Sequence, residues 1–277
     1  MANPHFLVSI PTLNAAGTLD RALASIEAQT YREFSCNIVD GRSHDGTAQI
    51  AERRGVPVKT YDGKLLGARY TGVAGERYDY AVLVDSDQLL ERTMLERLAG
   101  LLSQNPVDMV VLDERSYRPE TWVERMFDLD RRIVHRARNL SPESGVLMPR
   151  VFSKPLLEET FSVIREKLTP GSFASVLAAD HAIIYYEAAN LSSRVAVLDQ
   201  AVFHQEPRTL REVFHHFRRW GQSDRREVVT VYGSLLEQKM KGRRRDLLRS
   251  LDRDALKTVP LLLTKFLGYQ YGYRVEK

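Results

Sequence analysis

One cysteine, Cys36, serves the whole chain of 277 residues, which excludes an internal disulfide and any cysteine-cluster metal site. It sits in the apolar stretch FSCNIVD, where an inert, buried thiol is expected rather than a nucleophile. Long apolar runs are also missing; none approaches the ~20 residues that a membrane span needs. The opening MANPHFLVSI lacks the basic-then-apolar pattern of a secretory leader, so residence in the cytoplasm is the expectation. No repeat and no low-complexity linker interrupts the chain. A 43% hydrophobic and 27% charged composition is that of an ordinary soluble globular protein, long enough for one large domain or one domain with an extension.

The formal net charge of +4 is unevenly placed. Between Gln205 and Arg253, 13 Lys and Arg face 7 Asp and Glu, so the excess is a property of the C-terminal third. Charge of this kind suits a solvated face, or a surface that meets phosphate, anionic lipid or nucleic acid. With no stacking or zinc motif, nucleic acid is not expected as a partner.

What is present is alternation. FLVSI, FSCNIVD, VPVKTY, YAVLV and VDMVVLD read as strands, and the segments between them carry apolar residues at helical spacing, such as Leu19, Leu23 and Ile26. Asp45 is the expected N-cap of the helix after the second strand, and Gly55 its stop. Strands alternating with helices predict an α/β domain with a mostly parallel sheet. In such sheets ligands bind beyond the carboxyl ends of the strands. Pro11-Thr12-Leu13-Asn14, Asp40-Gly41-Arg42-Ser43 and Asp85-Ser86-Asp87 should therefore share one edge. After residue 113 the alternation dissolves. Residues 120–139 read as a charged helix, AADHAIIYYEAAN as a helix starting near Asp180, and SRVAVLD and AVFH as two strand-like pieces. From Thr209 the chain reads as helix, capped by Thr209 with Glu212 and broken at Gly221, around Gly242 and at Pro260.

Asp85 and Asp87 stand two apart at the tip of an apolar strand, where both carboxylates can converge. Two close anions repel unless a cation offsets them. A hard divalent ion, Mg²⁺ or Mn²⁺, accepts such oxygens and completes its shell with water and substrate phosphates. A solvated turn accounts for the same three letters taken alone.

Together, VSIPTLN, VDGRSHDGT and LLGARYTGVAGERYDYAVLVDSDQLL resemble family 2 glycosyltransferases, in the right order and with near-family spacing over residues 6–90. Gly41 replaces a frequent second Asp, and Tyr70 an Asn. The resemblance implies the GT-A fold, a Rossmann-like sheet flanked by helices, over residues 1–205. Residues 1–113 would bind the nucleotide sugar, 114–205 would face the acceptor, and 206–277 would form a helical extension. It further implies that Thr12, Asn14 and Asp40 line the nucleoside pocket, and that Pro11, Arg42, Ser43, Arg69, Asp85, Ser86, Arg219 and Trp220 also contact the nucleotide sugar. Asp85 and Asp87 would hold the metal, with His204 as a third ligand or a buried histidine. Asp180 stands where the family carries its base, as a catalytic group or a plain helix cap. His216 occupies the place of Gln in a QxxRW-like stretch, HFRRW. The implied reaction is inverting transfer from a nucleotide-diphosphate sugar, UDP before GDP, to a hydroxyl of a glycan or lipid-linked acceptor. The tail 241–277 combines a basic cluster, leucines and three tyrosines, which suits peripheral contact with an anionic membrane, packing on the domain, or a homodimer. Two rivals use the same sheet edge: a nucleotidyltransferase, disfavoured because SIPTLNAAGTL lacks a basic residue, and a non-catalytic nucleotide-sugar-binding protein.

Overall fold

The structure is a computed structural model that describes residues 3–143, 146–223, 231–238 and 256–275. Eight strands form one sheet: β1 (Phe6–Thr12), β2 (Phe34–Asp40), β3 (Val58–Thr60), β4 (Tyr80–Leu83), β5 (Gln88–Leu90), β6 (Met109–Ser116), β7 (Val151–Ser153) and β8 (Val195–His204). Their order is β3-β2-β1-β4-β7-β6-β8-β5. Four pairings are parallel and three antiparallel, because the short β5 and β7 insert against the general direction.

Alternation along β1 explains the layering. Phe6, Val8 and Ile10 join one core with Leu19, Leu23 and Ile26 of α1 (Ala16–Glu27), Ile50 of α2 (Thr47–Arg53), and Leu95 and Leu98 of α4 (Met94–Gln104). Leu7 faces the opposite core, with Leu66 of α3 (Leu65–Val73), Phe161 of α6 (Lys154–Lys167), Phe173 of α7 (Pro170–Ser175) and Ile183 of α8 (Asp180–Leu191). Period-two side chains on a sheet buried on both faces require this arrangement. Gly72 lets α3 press onto β1; a Cβ there would collide with Ser9 Oγ. Cys36 is half-buried within this sheet, and burial pushes its thiol up to about 12, as an inert thiol requires.

A third, smaller core joins α5 (Trp122–Ala137), α9 (Leu210–Ser223) and α10 (Val259–Val275) through Val123, Phe127, Val213 and Leu261. Lys265 of α10 is buried against Asp130 of α5, 2.8 Å away. α9 and α10 touch backbone to backbone. A Cβ on Gly268 would lie 2.6 Å from the Phe214 carbonyl oxygen, and one on Gly272 would collide with that of Arg218.

Several expectations are corrected. No break occurs at Gly221: α9 runs to Ser223, since that glycine admits the α10 backbone at Tyr269 rather than ending a helix. The helical path turns at Thr258 and resumes with Pro260 in the first turn of α10, where its missing N–H costs no bond. Gly242 lies outside the described residues. Asp45 precedes the cap position, held by Gly46 in a left-handed conformation (φ 88°), and instead accepts from the Thr47 amide. SRVAVLD and AVFH are one strand, β8, bent at Gln200 (φ 47°). β6 continues past Asp113 to Ser116 over a register shift between Leu112 and Glu114.

Candidate active site

The three polar groups do share one edge. Parallel register places Thr12 opposite Asp40 at the ends of β1 and β2, with buried Pro11 opposite Val39. Thr12 Oγ1 donates to Asp40 at 2.8 Å, and Ser43 donates to the same carboxylate through its amide (2.8 Å) and hydroxyl (2.6 Å). Asn14, in a left-handed conformation (φ 52°), donates its amide to Ser43 Oγ and accepts from the His44 amide. Arg42 turns away from this cluster into an exposed pair with Asp62.

Beyond β4, Asp85 is the hub of a buried charge network. Arg69 on α3 is only 1% exposed, and it donates to Asp85 from Nη2 and to Asp180 from Nε, both at 2.5 Å. Its Nη1 is buried with no partner among the described residues. This is not a surface helix arginine: it ties the β4 tip to the first residue of α8. Arg150, just before β7, donates to the other Asp85 oxygen at 3.1 Å, contacts His181, and lies 3.4 Å from Glu114. Arg131 of α5 then bridges Glu114 and Glu206.

The electrostatics follow from these contacts. Burial alone would raise Asp85, but Arg150 and Arg69 outweigh it and hold the carboxyl well below its usual range. Burial pushes Asp87 up, opposed by His204 and reinforced by Asp85. Burial, then the positive field of Arg150 and Arg69, keeps His181 far below its ordinary value and hence neutral at pH 7.

Asp87 differs from Asp85 in being uncommitted. Its carboxylate accepts no hydrogen bond among the described residues, and one third of its side-chain surface is open. His204 Nε2 stands 3.6 Å from it, at the end of β8, while His204 Nδ1 is 3.7 Å from Glu206. Among the described residues no three His, Cys, Asp or Glu side chains form a ready-made cage. The donor set nevertheless fits Mg²⁺ or Mn²⁺, which take a carboxylate and fill remaining positions with water and substrate oxygens. Five carboxylates (Asp85, Asp87, Glu114, Asp180, Glu206) face three guanidiniums in this network, an excess of two negative charges that a divalent cation would cancel. Ser86 lies half-buried between the two aspartates.

On α9, Arg219 is exposed and Trp220 packs on His216, ring centroids 4.7 Å apart. Burial and then Arg219 depress His216 to about 4, with His204 and Lys265 adding to the fall and Asp85 opposing it. Sequence reasoning missed Glu114, Arg131, Arg150 and Glu206. The signal available was Arg69 itself: a lone charge in the small, apolar helix LLGARYTGV cannot be buried without carboxylates around it.

Comparison with known proteins adds a family. Mannosyltransferase PcManGT from Pyrobaculum calidifontis, solved with GDP-Man and Mn²⁺, superposes with a TM-score of 0.62 at 15% identity over 100% of this chain and 89% of that one. TarS 1-349 of S. aureus, solved with UDP-GlcNAc, gives 0.57 at 15% over 98% and 89%. These likenesses identify the fold as GT-A. A PGL/p-HBAD biosynthesis glycosyltransferase of Mycobacterium tuberculosis is 32% identical over 145 residues, 49% of this chain and 57% of that protein. Cholesterol galactosyltransferase of Borreliella burgdorferi is 29% identical over 109 residues, 37% of this chain and 30% of that protein. The chain thus spans little more than half the length of the first of these curated relatives. The sequence model described as glycosyl transferase family 2 matches residues 7–159, from β1 into the first half of α6, leaving Asp180, His204, Arg219 and Trp220 beyond the match. With more than half its length matched, the chain belongs to glycosyl transferase family 2.

Proposed function

We propose that this protein transfers a sugar from a nucleotide-diphosphate donor to an acceptor hydroxyl with inversion, using Mg²⁺ or Mn²⁺ at Asp87. The observation that carries the reading is the convergence of Asp85 and Asp180, from distant parts of the chain, on the buried guanidinium of Arg69. Asp87 and His204 would hold the cation, with Asp85 beside them; when bound, it would supply positive charge to the leaving diphosphate.

The residues of the chain divide the remaining work. Asp40, fixed by Thr12 and Ser43 at the edge of β1 and β2, presents a pre-oriented acceptor for the base or ribose. Pro11 and Asn14 lie beside it, Arg42 stands at the rim paired with Asp62, and Ser86 sits between the two donor-side aspartates. Asp180 accepts the proton of the attacking hydroxyl. Arg69 holds one oxygen of Asp180 and leaves Oδ1 without a hydrogen bond among the described residues. One base and one displacement give inversion, and a diphosphate leaving group needs no proton donor. Arg219 and Trp220, both on α9, are assigned to the donor phosphates. UDP is the preferred nucleotide and GDP the second. The acceptor is a glycan or a lipid-linked hydroxyl.

Incubating the full chain with labelled UDP-, GDP- and dTDP-sugars and Mn²⁺ tests this reading. Nucleotide release from at least one donor, absent in Asp87→Ala, is expected. Release from none, or equal release by the variant, refutes it.

A further inference from the structure

A concavity of about 320 Å³ lies beside the carboxylate network. Gln205 and Glu206, directly after β8, line it with Tyr117 and Arg118 beyond the end of β6, and with Arg21 of α1 and Arg208. Its size falls at the lower end of small-molecule sites. Backbone hydrogen bonds weld it to the loop already described. The Gln205 amide donates to the Asp87 carbonyl oxygen, and the Tyr117 amide to that of His204, both at 2.8 Å.

Three features indicate what it takes. First, the side-chain oxygen of Gln205 is buried with no hydrogen-bond partner among the described residues, while its Nε2 reaches the Thr18 carbonyl at 3.4 Å. A buried acceptor left unpaired is costly unless a ligand or water supplies a donor. Second, the lining is balanced in sign. Glu120 and Glu124, at the start of α5, bring the acids to three against three arginines. Arg208 is committed to Glu120 at 3.1 Å, and Arg118 lies over the Tyr117 ring, 5.3 Å from its centroid. A phosphate would select a net positive pocket; alternating donors and acceptors at zero net charge suit hydroxyl groups. Third, Tyr117 puts an aromatic ring into the lining, the kind of side chain on which the C–H face of a pyranose packs once the Arg118 guanidinium turns to the sugar hydroxyls.

We infer that this cavity is a subsite for a neutral saccharide, holding the non-reacting part of a glycan acceptor. The inference rests on the sugar-transfer reading and specifies its acceptor class. Binding energy from such a remote part of the substrate can serve to orient the reacting hydroxyl.

Saturation-transfer NMR on the full chain, with maltose, cellobiose, lactose and mannobiose, tests it without donor or turnover. At least one disaccharide is expected to bind. Its Kd should rise about tenfold or more in Arg118→Ala and in Tyr117→Ala, as loss of a hydrogen bond to a charged group or of a stacking face implies. Unchanged thermal unfolding of the exposed Arg118→Ala variant excludes misfolding as the cause. Absence of binding by all four sugars, equal binding by the variants, or displacement by inorganic phosphate overturns the inference. The parent reading fails separately. Nucleotide release from a donor without saccharide binding removes only this subsite, and saccharide binding without turnover of any donor removes only sugar transfer.

Discussion

Replacing Arg69 by Met removes the cation that two acidic side chains share while roughly keeping the volume of the side chain. Arg69 is almost wholly buried, and Asp180 is 4% exposed, so water cannot replace the lost partner. Breaking a buried ion pair by removing one member costs about 3–5 kcal/mol, because the other charge remains uncompensated. Asp85 keeps Arg150 at 3.1 Å, whereas Asp180 has no second guanidinium among the described residues, so the lower half, about 3–4 kcal/mol, is expected. Urea unfolding at pH 7 measures it. Asp180→Asn in the Arg69→Met background should recover about 1–3 kcal/mol, the coupling of neighbours in one network. The pH dependence has a defined sign. Asp85 is depressed in the folded state, so its stabilisation is present above its ordinary value of 3.8 and is lost as pH falls below it. The gap between wild type and Arg69→Met should therefore narrow as pH falls below about 4. A loss under about 1 kcal/mol, or a gap independent of acid, refutes Arg69 as the buried counter-ion.

Other outcomes follow from the same contacts. Asp180→Asn should lower transfer by about 10²–10⁴-fold with donor affinity retained, read by initial rates and calorimetry; lost donor binding would make Asp180 a structural cap. His216, lowered to about 4 from 6.5, leaves the unfolded chain to take up a proton first. Stability should consequently fall by at most about 3 kcal/mol between pH 6.5 and 4, and His216→Gln should flatten that part of the curve in urea titrations. Gly272→Ala should force α9 and α10 apart, costing about 1–3 kcal/mol and raising amide exchange in α9. Exchange unchanged from wild type would show that the helices do not meet there.

Much of the site was legible because strand ends announce themselves. Asp40, Asp85 and Asp87 each follow an apolar run, and parallel alternation sends such ends to one edge. Asp180 could be placed at a helix start from AADHAIIYY alone, and His204 at the end of VFH. The supporting charges were not legible, for physical reasons. Glu114 and Arg115 sit on a strand that shifts register after Leu112, which breaks period-two reading and makes them resemble a loop. Arg150 precedes a three-residue strand too short for any period. Arg131 lies on a helix crowded with charges, where one buried arginine has no distinguishing pattern. The resemblance implies a donor contact for Arg69, and what it could not disclose is that two of its nitrogens are directed to Asp85 and Asp180.

The central claim is that Asp87, uncommitted and facing His204, is where a divalent cation meets the donor. Calorimetric titration of Mn²⁺ into the protein, with and without a nucleotide-diphosphate sugar that the wild type turns over, tests it most directly. The account predicts binding that tightens with the donor present and is lost in Asp87→Asn, while circular dichroism stays unchanged. Equal Mn²⁺ affinity in wild type and Asp87→Asn would contradict it.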